Sequence, residues 1–421
     1  MPVHTVEARK PGRLSLCMIV RNEERTLDRC LSSVASLVDE LCIVDTGSTD
    51  RTEQIAHVWN AKVGRFPWTQ DFSAARNAAL DLATCPWVLS LDADERLTPE
   101  SVEAIRAVVE EEPDGSARFL RCISATGADG HGAPSQHLTP RLFPRTKHVR
   151  WRDAIHEYLW DDQAKVALGG SAIPDAVILH DGYALDGPGA QAKAKRNTDI
   201  AVKALESDPH DSKTWFALGQ ARALCGDIAG SRASYERMIA EAPEDCKEAF
   251  FAYGVCQLAQ MYVVLGDQER AQMAALDCLD IVPGCPDALF VLGQARRLAG
   301  RPEDALVAFE ELLDDGRRGP SVIGDVGVIE WKARVESGLC HEACGRYEDA
   351  ERFLVEALAR RPSLHVAIEA ANFYLRRQQI GDAVSLLYGA AYRAYTEPEA
   401  TRMRALAEEI RATTEAARAL A

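Results

Sequence analysis

The sequence lacks several features that would assign it to a particular class of protein. Its 12 cysteines include no C-x-x-C pair, the spacing most typical of zinc sites and dithiol redox sites. No apolar run reaches the roughly 18 residues that a membrane-spanning helix needs, and residues 1–13 contain no apolar segment typical of a signal peptide. We therefore expect a cytoplasmic protein without an integral membrane segment, whose cysteines are reduced thiols.

Positive net charge is also absent. Lysine and arginine number 48 against 64 aspartates and glutamates, a formal net charge of −16. A general nucleic-acid binder needs a cationic field to neutralise phosphates, so this class is excluded. A single nucleotide is not excluded, because it needs only a local cation or a metal ion.

Three nucleotide-binding or metal-binding motifs are missing. The first apolar run, Leu14–Val20, is followed by Arg21–Glu24 rather than by Gly-x-Gly-x-x-Gly, which argues against a dinucleotide-binding oxidoreductase. A P-loop is absent as well. Residues Asp92–Glu95 lack the glycine and the distal glutamate of an EF-hand loop, which excludes that calcium site.

Apolar runs and helical periodicity alternate through the first part of the chain. With 421 residues, two domains are the expectation. Strands that alternate with helices predict a parallel sheet covered by helices on both faces. The predicted strands are Leu14–Val20, Glu40–Val44, Ala61–Phe66, Trp87–Leu91 and Ala117–Ile123; the predicted helices are Arg25–Leu37, Thr52–Val58, Phe72–Leu82 and Pro99–Glu111.

Two aspartates directly follow the apolar run Trp87–Leu91. In an extended chain, residues two apart point to the same side, so Asp92 and Asp94 can converge on one ligand. Ligand sites of open α/β sheets lie at the carboxyl ends of strands, and paired carboxylates suit Mg or Mn held together with substrate phosphates. The alternative is a solvated turn whose acids cap the helix that begins near Pro99.

Four ordered motifs resemble the family 2 glycosyltransferases of GT-A fold. They are Leu16–Glu24 (LCMIVRNEE), Val44–Thr52 (VDTGSTDRT), Asp71–Asn77 (DFSAARN) and Leu91–Glu95 (LDADE). The resemblance covers roughly residues 13 to 185. It implies a nucleotide-diphosphate-sugar donor, an inverting glycosyl transfer and a divalent metal, Mn or Mg.

The resemblance also implies roles for individual residues in donor binding. The base and ribose would be lined by Val20, Arg21 and Glu23, with Asp45 near the base, Arg76 at the base or pyrophosphate, Asp92 at the ribose or sugar and Asp94 on the metal. Two of these residues have simpler interpretations. Asp45 followed by Gly47 could serve only its turn, and Arg76 could be a surface arginine of its helix.

The candidate base and a further metal ligand lie later in the chain. An inverting transferase needs a carboxylate to take the proton of the nucleophile, and the Glu-Asp pair common in the family is missing. The Ile155-His156-Glu157 stretch resembles lipopolysaccharide-type members, which makes Glu157 the first candidate and Asp153 the second. Glu157 could instead form a surface ion pair with Arg152 or Lys165. His180, after an apolar strand, is a candidate metal ligand or a structural histidine.

From Asn197 onward the sequence repeats with the spacing of tetratricopeptide units. Glycine, alanine and aromatic positions recur in five predicted helix pairs, the fifth degenerate, at a period near 34 residues with insertions near Cys246 and Arg318. Cys340, His341 and Cys344 fall inside a predicted helix and are interpreted as core residues rather than metal ligands. Residues 186–195 are interpreted as a hinge. We therefore predict a GT-A domain in 1–190, an all-α tetratricopeptide superhelix in 191–397 and a C-terminal helix in 398–421.

This domain combination resembles the peptide S-glycosyltransferases. The resemblance implies a protein or peptide acceptor presented by the helical repeats, and a homodimer through the helical part. A cell-envelope saccharide is the alternative acceptor. A scaffold, in which the repeats act and the first domain is inactive, is the alternative from another class.

Overall fold

The structure is a computed structural model that describes residues 12–124, 135–180, 188–244, 246, 248–321 and 323–420. The chain divides into two units, Met1–His210 and Asp211–Ala421. The first unit combines strands with helices, whereas the second is built from helices. The predicted order, an α/β domain before an all-α region, is confirmed. The boundary expected after residue 190 stays a prediction.

The strands of the first unit form one large mixed sheet and one small antiparallel sheet. In chain order the strands are β1 Leu14–Val20, β2 Glu40–Asp45, β3 Lys62–Arg65, β4 Trp87–Ser90, β5 Glu95–Leu97, β6 Ala117–Ser124, β7 Ser135–Pro144, β8 Val149–Arg152, β9 Tyr158–Asp161, β10 Val166–Ala167 and β11 Gly170–His180. The large sheet has the order β3-β2-β1-β4-β7-β6-β11-β5, and the small one β10-β9-β8. The parallel pairing predicted for β1 to β4 is confirmed. Antiparallel pairs β4–β7, β6–β7 and β5–β11 make the complete sheet mixed.

Five helices accompany these strands in the described part of the first unit: α1 Leu27–Val34, α2 Thr52–Val58, α3 Phe72–Leu82, α4 Pro99–Val109 and α5 Pro188–Ser207. The predicted bounds of α2 and α3 are confirmed, while α1 and α4 are shorter than predicted. The hinge predicted for residues 186–195 is wrong from residue 188 onward, because α5 begins there; residues 186 and 187 lie outside the described residues.

Strand β1 shows how the sheet is covered on both faces. Leu16 and Met18 pack in one apolar cluster with Leu31 of α1, whereas Cys17 packs in another with Leu80 of α3. This alternation follows from the two-residue period of a strand. Each large apolar side chain that is fully buried stabilises the fold by about 1.5–3 kcal/mol.

Glu40 connects three strands at the amino-terminal edge of the sheet. Its carboxylate accepts a hydrogen bond from Ser15 of β1, one from Lys62 Nζ of β3 at 2.5 Å, and two from Thr84 N and Oγ1 at 2.5 and 2.7 Å. Burial raises the pKa of Glu40, but these hydrogen bonds outweigh it and lower the pKa to about 2. The folded chain therefore stabilises the carboxylate form of Glu40 more than the unfolded chain does.

Replacing Glu40 with glutamine is expected to lower the free energy of unfolding by about 1–3 kcal/mol at pH 7. A depressed folded-state pKa stabilises the fold above the unfolded pKa of about 4.3, and this contribution is lost as the pH falls toward 2. The difference between wild type and Glu40→Gln should therefore shrink between pH 5 and pH 3 in urea titrations. Glu112→Gln, at an exposed ion pair with Arg13, is the control, and an equal difference at both pH values would contradict the prediction.

The second unit consists of consecutive helices that pack in pairs. They are α6 Ser212–Leu224, α7 Ile228–Glu241, α8 Ala249–Val264, α9 Gln268–Ile281, α10 Pro286–Leu298, α11 Pro302–Leu313, α12 Ala333–Ala343, α13 Tyr347–Arg360, α14 Leu364–Arg376, α15 Ile380–Arg393 and α16 Glu397–Leu420; a π-helical turn, Val328–Lys332, precedes α12. The five predicted helix pairs and the terminal helix are all present.

Small residues allow the two helices of a pair to approach closely. A Cβ on Gly293 of α10 would lie 2.4 Å from Phe309 Cε1 of α11, and a Cβ on Gly219 of α6 would lie 2.7 Å from Tyr235 Cε1 of α7. Both aromatic rings are fully buried. The same small–large pairing therefore occurs in the first and third helix pairs, and such packing helps stacked repeats to build one continuous core.

Two further predictions concern the cysteines and the absence of a membrane-spanning segment. Cys340 is fully buried, and His341 stacks on Phe353 with ring centroids 5.2 Å apart, so both belong to the helix packing. All twelve cysteines of the chain are free thiols. Among the described residues, no helix has both the length and the apolar character needed to span a membrane.

Candidate active site

The carboxyl ends of several strands meet at one edge of the large sheet. Strands β2, β1 and β4 are parallel neighbours, and β6 and β11 run in the same direction because two antiparallel steps separate β6 from β4. Val20, Asp45 and His180 end β1, β2 and β11, and Asp92 and Asp94 follow β4. The edge formed by these strand ends is called the site edge below. The fold thus collects most of the predicted residues on one side of the sheet.

The polar residues of the first two motifs hold their loops together. Asn22 N donates to Ser48 Oγ at 3.0 Å, and Thr49 N donates back to Asn22 Oδ1 at 2.7 Å. Glu23 N donates to Thr52 Oγ1 at 2.7 Å. These side chains saturate backbone groups that the strand ends leave unpaired, and they fix the two loops as one unit.

Asp45 combines a structural and a free carboxylate oxygen. Oδ1 accepts hydrogen bonds from Gly47 N and Ser48 N, both at 2.7 Å, so the predicted turn role exists. Oδ2 is buried and has no hydrogen-bond partner among the described residues. A buried acceptor without a partner is costly, and an N–H or O–H group of a ligand would satisfy it.

The third motif positions α3 against the site edge. Asp71 Oδ1 accepts from Ala74 N at 2.9 Å and caps the helix, as short acidic side chains commonly do. Asn77 exchanges two 3.0 Å hydrogen bonds with the backbone of Trp151 in β8. Phe72 N donates to Ala154 O at 3.0 Å. The helix and the segment that carries the candidate base are therefore held in register.

Arg76 lies between two predicted site residues. Its Nε donates to Glu157 Oε1 at 2.5 Å and its NH2 group donates to Asp92 Oδ1 at 2.8 Å. The guanidinium carbon lies 5.3 Å from the ring centroid of Trp151, and the Arg76 side chain is only 9% exposed. The interpretation of Arg76 as a surface arginine is wrong. Arg76 instead joins Asp92 and Glu157 through two nitrogens of one guanidinium group.

The alternative interpretation of Glu157 was a surface ion pair with Arg152 or Lys165. In the structure the partner is a different residue. Arg152 pairs with Asp162 at 2.5 Å, and the partner of Glu157 is Arg76, which is buried rather than exposed. The second candidate base, Asp153, is exposed and has a backbone φ of 71°. Glu157 thus contacts Arg76, the same side chain that pairs with Asp92 at the site edge.

Arg141 of β7 is a second buried cation at the site edge. Its NH2 group lies 3.4 Å from Asp92 Oδ2 and 2.6 Å from Glu95 Oε1. Although burial raises the pKa of Asp92, the guanidinium groups of Arg76 and Arg141 hold it well below its usual range. Asp92 therefore remains a carboxylate, ready to accept hydrogen bonds from hydroxyl groups.

Asp94 is surrounded by two further cationic side chains. His180 Nε2 lies 3.4 Å and Lys193 Nζ 3.1 Å from the same oxygen, Asp94 Oδ2. Burial lowers the pKa of His180, but the hydrogen bond to Asp94 and its charge raise the pKa to about 10.

Neither Asp92 nor Asp94 caps the following helix, since Thr98 does so by accepting from Ser101 N at 3.3 Å. The interpretation as capping acids is wrong.

The residues around Asp94 fit a divalent metal ion. A carboxylate oxygen suits Mg or Mn, and an imidazole that has released its proton is a common metal ligand. A second combination, Glu95 with Cys122 and His180, also places its ligand atoms within 4.8 Å of one another. The oxygens of Glu95 already accept hydrogen bonds from Arg141 and from Asp92 N. Asp94 Oδ2 likewise accepts a hydrogen bond from Lys193, and His180 belongs to both combinations.

The remaining predicted donor-site residues lie at the end of β1 and in the loop after it. Val20 is buried, and Arg21 is exposed. Glu23 accepts a 2.7 Å hydrogen bond from Thr26 Oγ1. Burial raises the pKa of Glu23, and the negative charges of Asp94 and Asp92 add to this effect. These positions agree with a ligand that contacts the loop after β1 as well as the aspartates after β4.

Comparison with known proteins identifies the sheet domain. Residues 15–156 match the family model described as Glycosyl transferase family 2. The first unit contains a family 2 glycosyltransferase domain. The match includes the four sequence motifs and ends just before Glu157, and it leaves His180 and the helical second unit outside.

The relatives of this chain carry two kinds of name. A TPR repeat-containing protein of Synechococcus elongatus is 36% identical over 228 residues, 52% of this chain and 55% of that protein. The SPbeta prophage-derived glycosyltransferase SunS of Bacillus subtilis is 25% identical over 210 residues, 48% of this chain and 47% of SunS. An uncharacterized glycosyltransferase of Rickettsia typhi is 35% identical over 96 residues, 23% of this chain and 32% of that protein. The chain spans about half the length of the first relatives it matches.

Sequence reasoning missed two charged residues at the site edge, Arg141 and Lys193. Arg141 lies 49 residues from Asp92, and Lys193 lies 99 residues from Asp94. Arg141 directly precedes two fully buried residues, Leu142 and Phe143, which is an unusual place for an arginine and was a usable signal. Lys193 stands in a helix rich in lysine and alanine, so its sequence context offered no such signal.

Proposed function

We propose that this protein is an inverting, metal-dependent glycosyltransferase that moves a sugar from a nucleotide-diphosphate sugar to a protein or peptide acceptor. The observation that carries the proposal is the convergence at the site edge of an unpartnered Asp45 oxygen, the Arg76–Asp92 ion pair and the Asp94–His180 pair. The family 2 match and the glycosyltransferase names of the relatives support the same activity.

The donor would lie across the carboxyl ends of β1, β2 and β4. Val20, Arg21 and Glu23 would line the base and ribose, and the free oxygen of Asp45 would accept a hydrogen bond from the base. Asp92, held by Arg76, would contact the ribose or the sugar. A Mn or Mg ion on Asp94 and His180 would offset negative charge on the diphosphate.

In the proposed transfer, a hydroxyl or thiol group of the acceptor attacks the anomeric carbon of the donor sugar. Glu157 takes the proton of that nucleophile, the bond to the anomeric carbon forms from the face opposite the diphosphate, and the nucleoside diphosphate leaves with the electrons of the broken bond. Arg76 fixes the Glu157 carboxylate next to the sugar-binding aspartate. In this proposal the base and the cationic residues act on opposite sides of the reacting carbon.

The helical second unit supports a macromolecular acceptor. Stacked helix pairs form extended surfaces that suit peptides, and one relative with a TPR name is 36% identical over 228 residues, 52% of this chain. We propose that the repeats present or select the acceptor. A homodimer through the helical part and a cytoplasmic location stay predictions.

The full-length protein should be tested with a panel of UDP- and GDP-sugars, with Mn²⁺ or with EDTA. Peptides that contain Ser, Thr or Cys and envelope-type saccharides would be offered together and analysed by mass spectrometry. We expect metal-dependent release of nucleoside diphosphate and the mass of one sugar on a peptide. Sugar found only on saccharides would contradict the peptide acceptor, and no binding of any nucleotide would contradict the enzyme and favour a scaffold.

Replacing Glu157 with glutamine is expected to slow glycosyl transfer by about 10²–10⁴-fold, the usual contribution of a general base. Affinity for the nucleoside diphosphate should change less than about threefold, because Arg76 still pairs with Asp92. Asp153→Asn is the matched variant at the second candidate base. If Asp153→Asn lost transfer and Glu157→Gln kept it, the assignment of the base would pass to Asp153.

A further inference from the structure

Lys193 is a charged residue at the site edge that the proposed mechanism does not use. It lies on α5, and its Nζ is 3.1 Å from Asp94 Oδ2, the oxygen that also faces His180 Nε2 at 3.4 Å. The lysine side chain is 43% exposed, whereas that of Asp94 is 13% exposed. Lys193 can therefore leave Asp94 for another partner without any opening of the core.

Packing of α5 within the first unit places the lysine at this position. Ala194 and Ile200 of α5 are buried, and the guanidinium carbon of Arg196 lies 5.0 Å from the ring centroid of Phe72, the first residue of α3. The Arg196–Phe72 contact holds this part of α5 beside α3, the helix whose Arg76 pairs with Asp92. The flexible four-carbon stem of Lys193 then carries the charge the remaining distance to Asp94.

The charges around Asp94 cannot all remain in place when a divalent ion binds. An ammonium group within hydrogen-bond distance of a carboxylate oxygen repels a second cation that uses the same oxygen. A nucleotide-diphosphate donor brings several negative charges into this region, and these offer the ammonium an alternative partner. Lysine is a common ligand of phosphate oxygens in proteins.

We propose that Lys193 is a donor-binding residue that exchanges partners: it pairs with Asp94 in the free protein and with the diphosphate when donor and metal are bound. This inference rests on the proposed function, because it takes the donor to be a nucleotide-diphosphate sugar. Lys193 then adds a second positive charge where the leaving diphosphate gains negative charge. It also makes Asp94 a weaker metal ligand in the free protein than a lone carboxylate would be.

The test compares the wild type with Lys193→Met and Lys193→Arg in the full-length protein. Lys195→Met is the control, because Lys195 lies two residues further on the same helix, is 77% exposed and pairs with Asp199. The probes are MnCl₂ alone and inorganic pyrophosphate alone, and the readout is the Kd from titration calorimetry. Neither probe depends on the unknown sugar or base.

Removal of the Lys193 charge should move the two affinities in opposite directions. Lys193→Met is expected to bind Mn²⁺ about tenfold more tightly and pyrophosphate about tenfold more weakly than the wild type, the scale of one unit charge at close range near a protein surface. Lys193→Arg and Lys195→Met should resemble the wild type. If Lys193→Met matched the wild type in either measurement, including no binding by both, the proposal would be overturned.

Failure of the proposed function would give a different pattern. If the opposite shifts were seen but the wild type transferred sugar from no donor, the partner exchange would stand and glycosyl transfer would be contradicted. If transfer were seen without these shifts, only the role of Lys193 would be wrong.

Discussion

Replacing Asp94 with asparagine is expected to reduce metal-dependent release of nucleoside diphosphate from the donor by about 10²–10³-fold, the usual effect of removing one electrostatic contact to a developing charge. Asparagine keeps the size of the side chain but removes the negative charge that faces His180 and Lys193. The Kd for Mn²⁺ should rise in parallel. The rate of donor hydrolysis at several Mn²⁺ concentrations measures both effects.

The control for this prediction is Asp81→Asn. Asp81 lies on α3 in the same domain, is 65% exposed and pairs with Arg150, so its replacement should leave hydrolysis within about twofold because exposed ion pairs contribute little. Far-ultraviolet circular dichroism establishes that both variants are folded. Wild-type hydrolysis by Asp94→Asn, with an unchanged dependence on Mn²⁺, would show that the metal is not held by Asp94.

Replacing Arg76 with methionine is expected to have the largest effect on stability. The change leaves Glu157 without its cation and removes one of the two guanidinium groups that face Asp92. Breaking a buried ion pair on one side typically lowers the free energy of unfolding by about 3–5 kcal/mol, because a charge remains buried without its partner. Urea unfolding followed by tryptophan fluorescence measures this loss.

Two further variants distinguish the effect of losing the ion pair from the effect of losing an arginine side chain. Arg76→Met combined with Glu157→Gln should recover part of the stability, since the double variant no longer buries the unpaired Glu157 charge. Arg106→Met, at a 38% exposed arginine that pairs with Glu103, should cost less than about 1 kcal/mol. An Arg76→Met variant as stable as Arg106→Met would contradict the buried network.

Local signals in the sequence predicted the elements of the first unit well. The bounds of β1, α2 and α3 were predicted correctly because apolar periodicity and helix caps depend on residues close together in the chain. The repeat spacing likewise predicted the five helix pairs of the second unit, since each pair buries its apolar face against the next. The position of β7 was not predictable in this way: the strand is inserted between β4 and β6 and runs antiparallel to both.

The Asp92–Asp94 segment shows the same division within the candidate site. The sequence by itself determined that two carboxylates follow a buried strand, and its four ordered motifs indicated a sugar-nucleotide donor. Only the tertiary structure decided the partners: Arg76 and Arg141 for Asp92, and His180 and Lys193 for Asp94. Those partners lie between 16 and 99 residues away. Which charges meet across such a sequence separation depends on strand order and helix packing. The spacing of residues along the chain predicts neither.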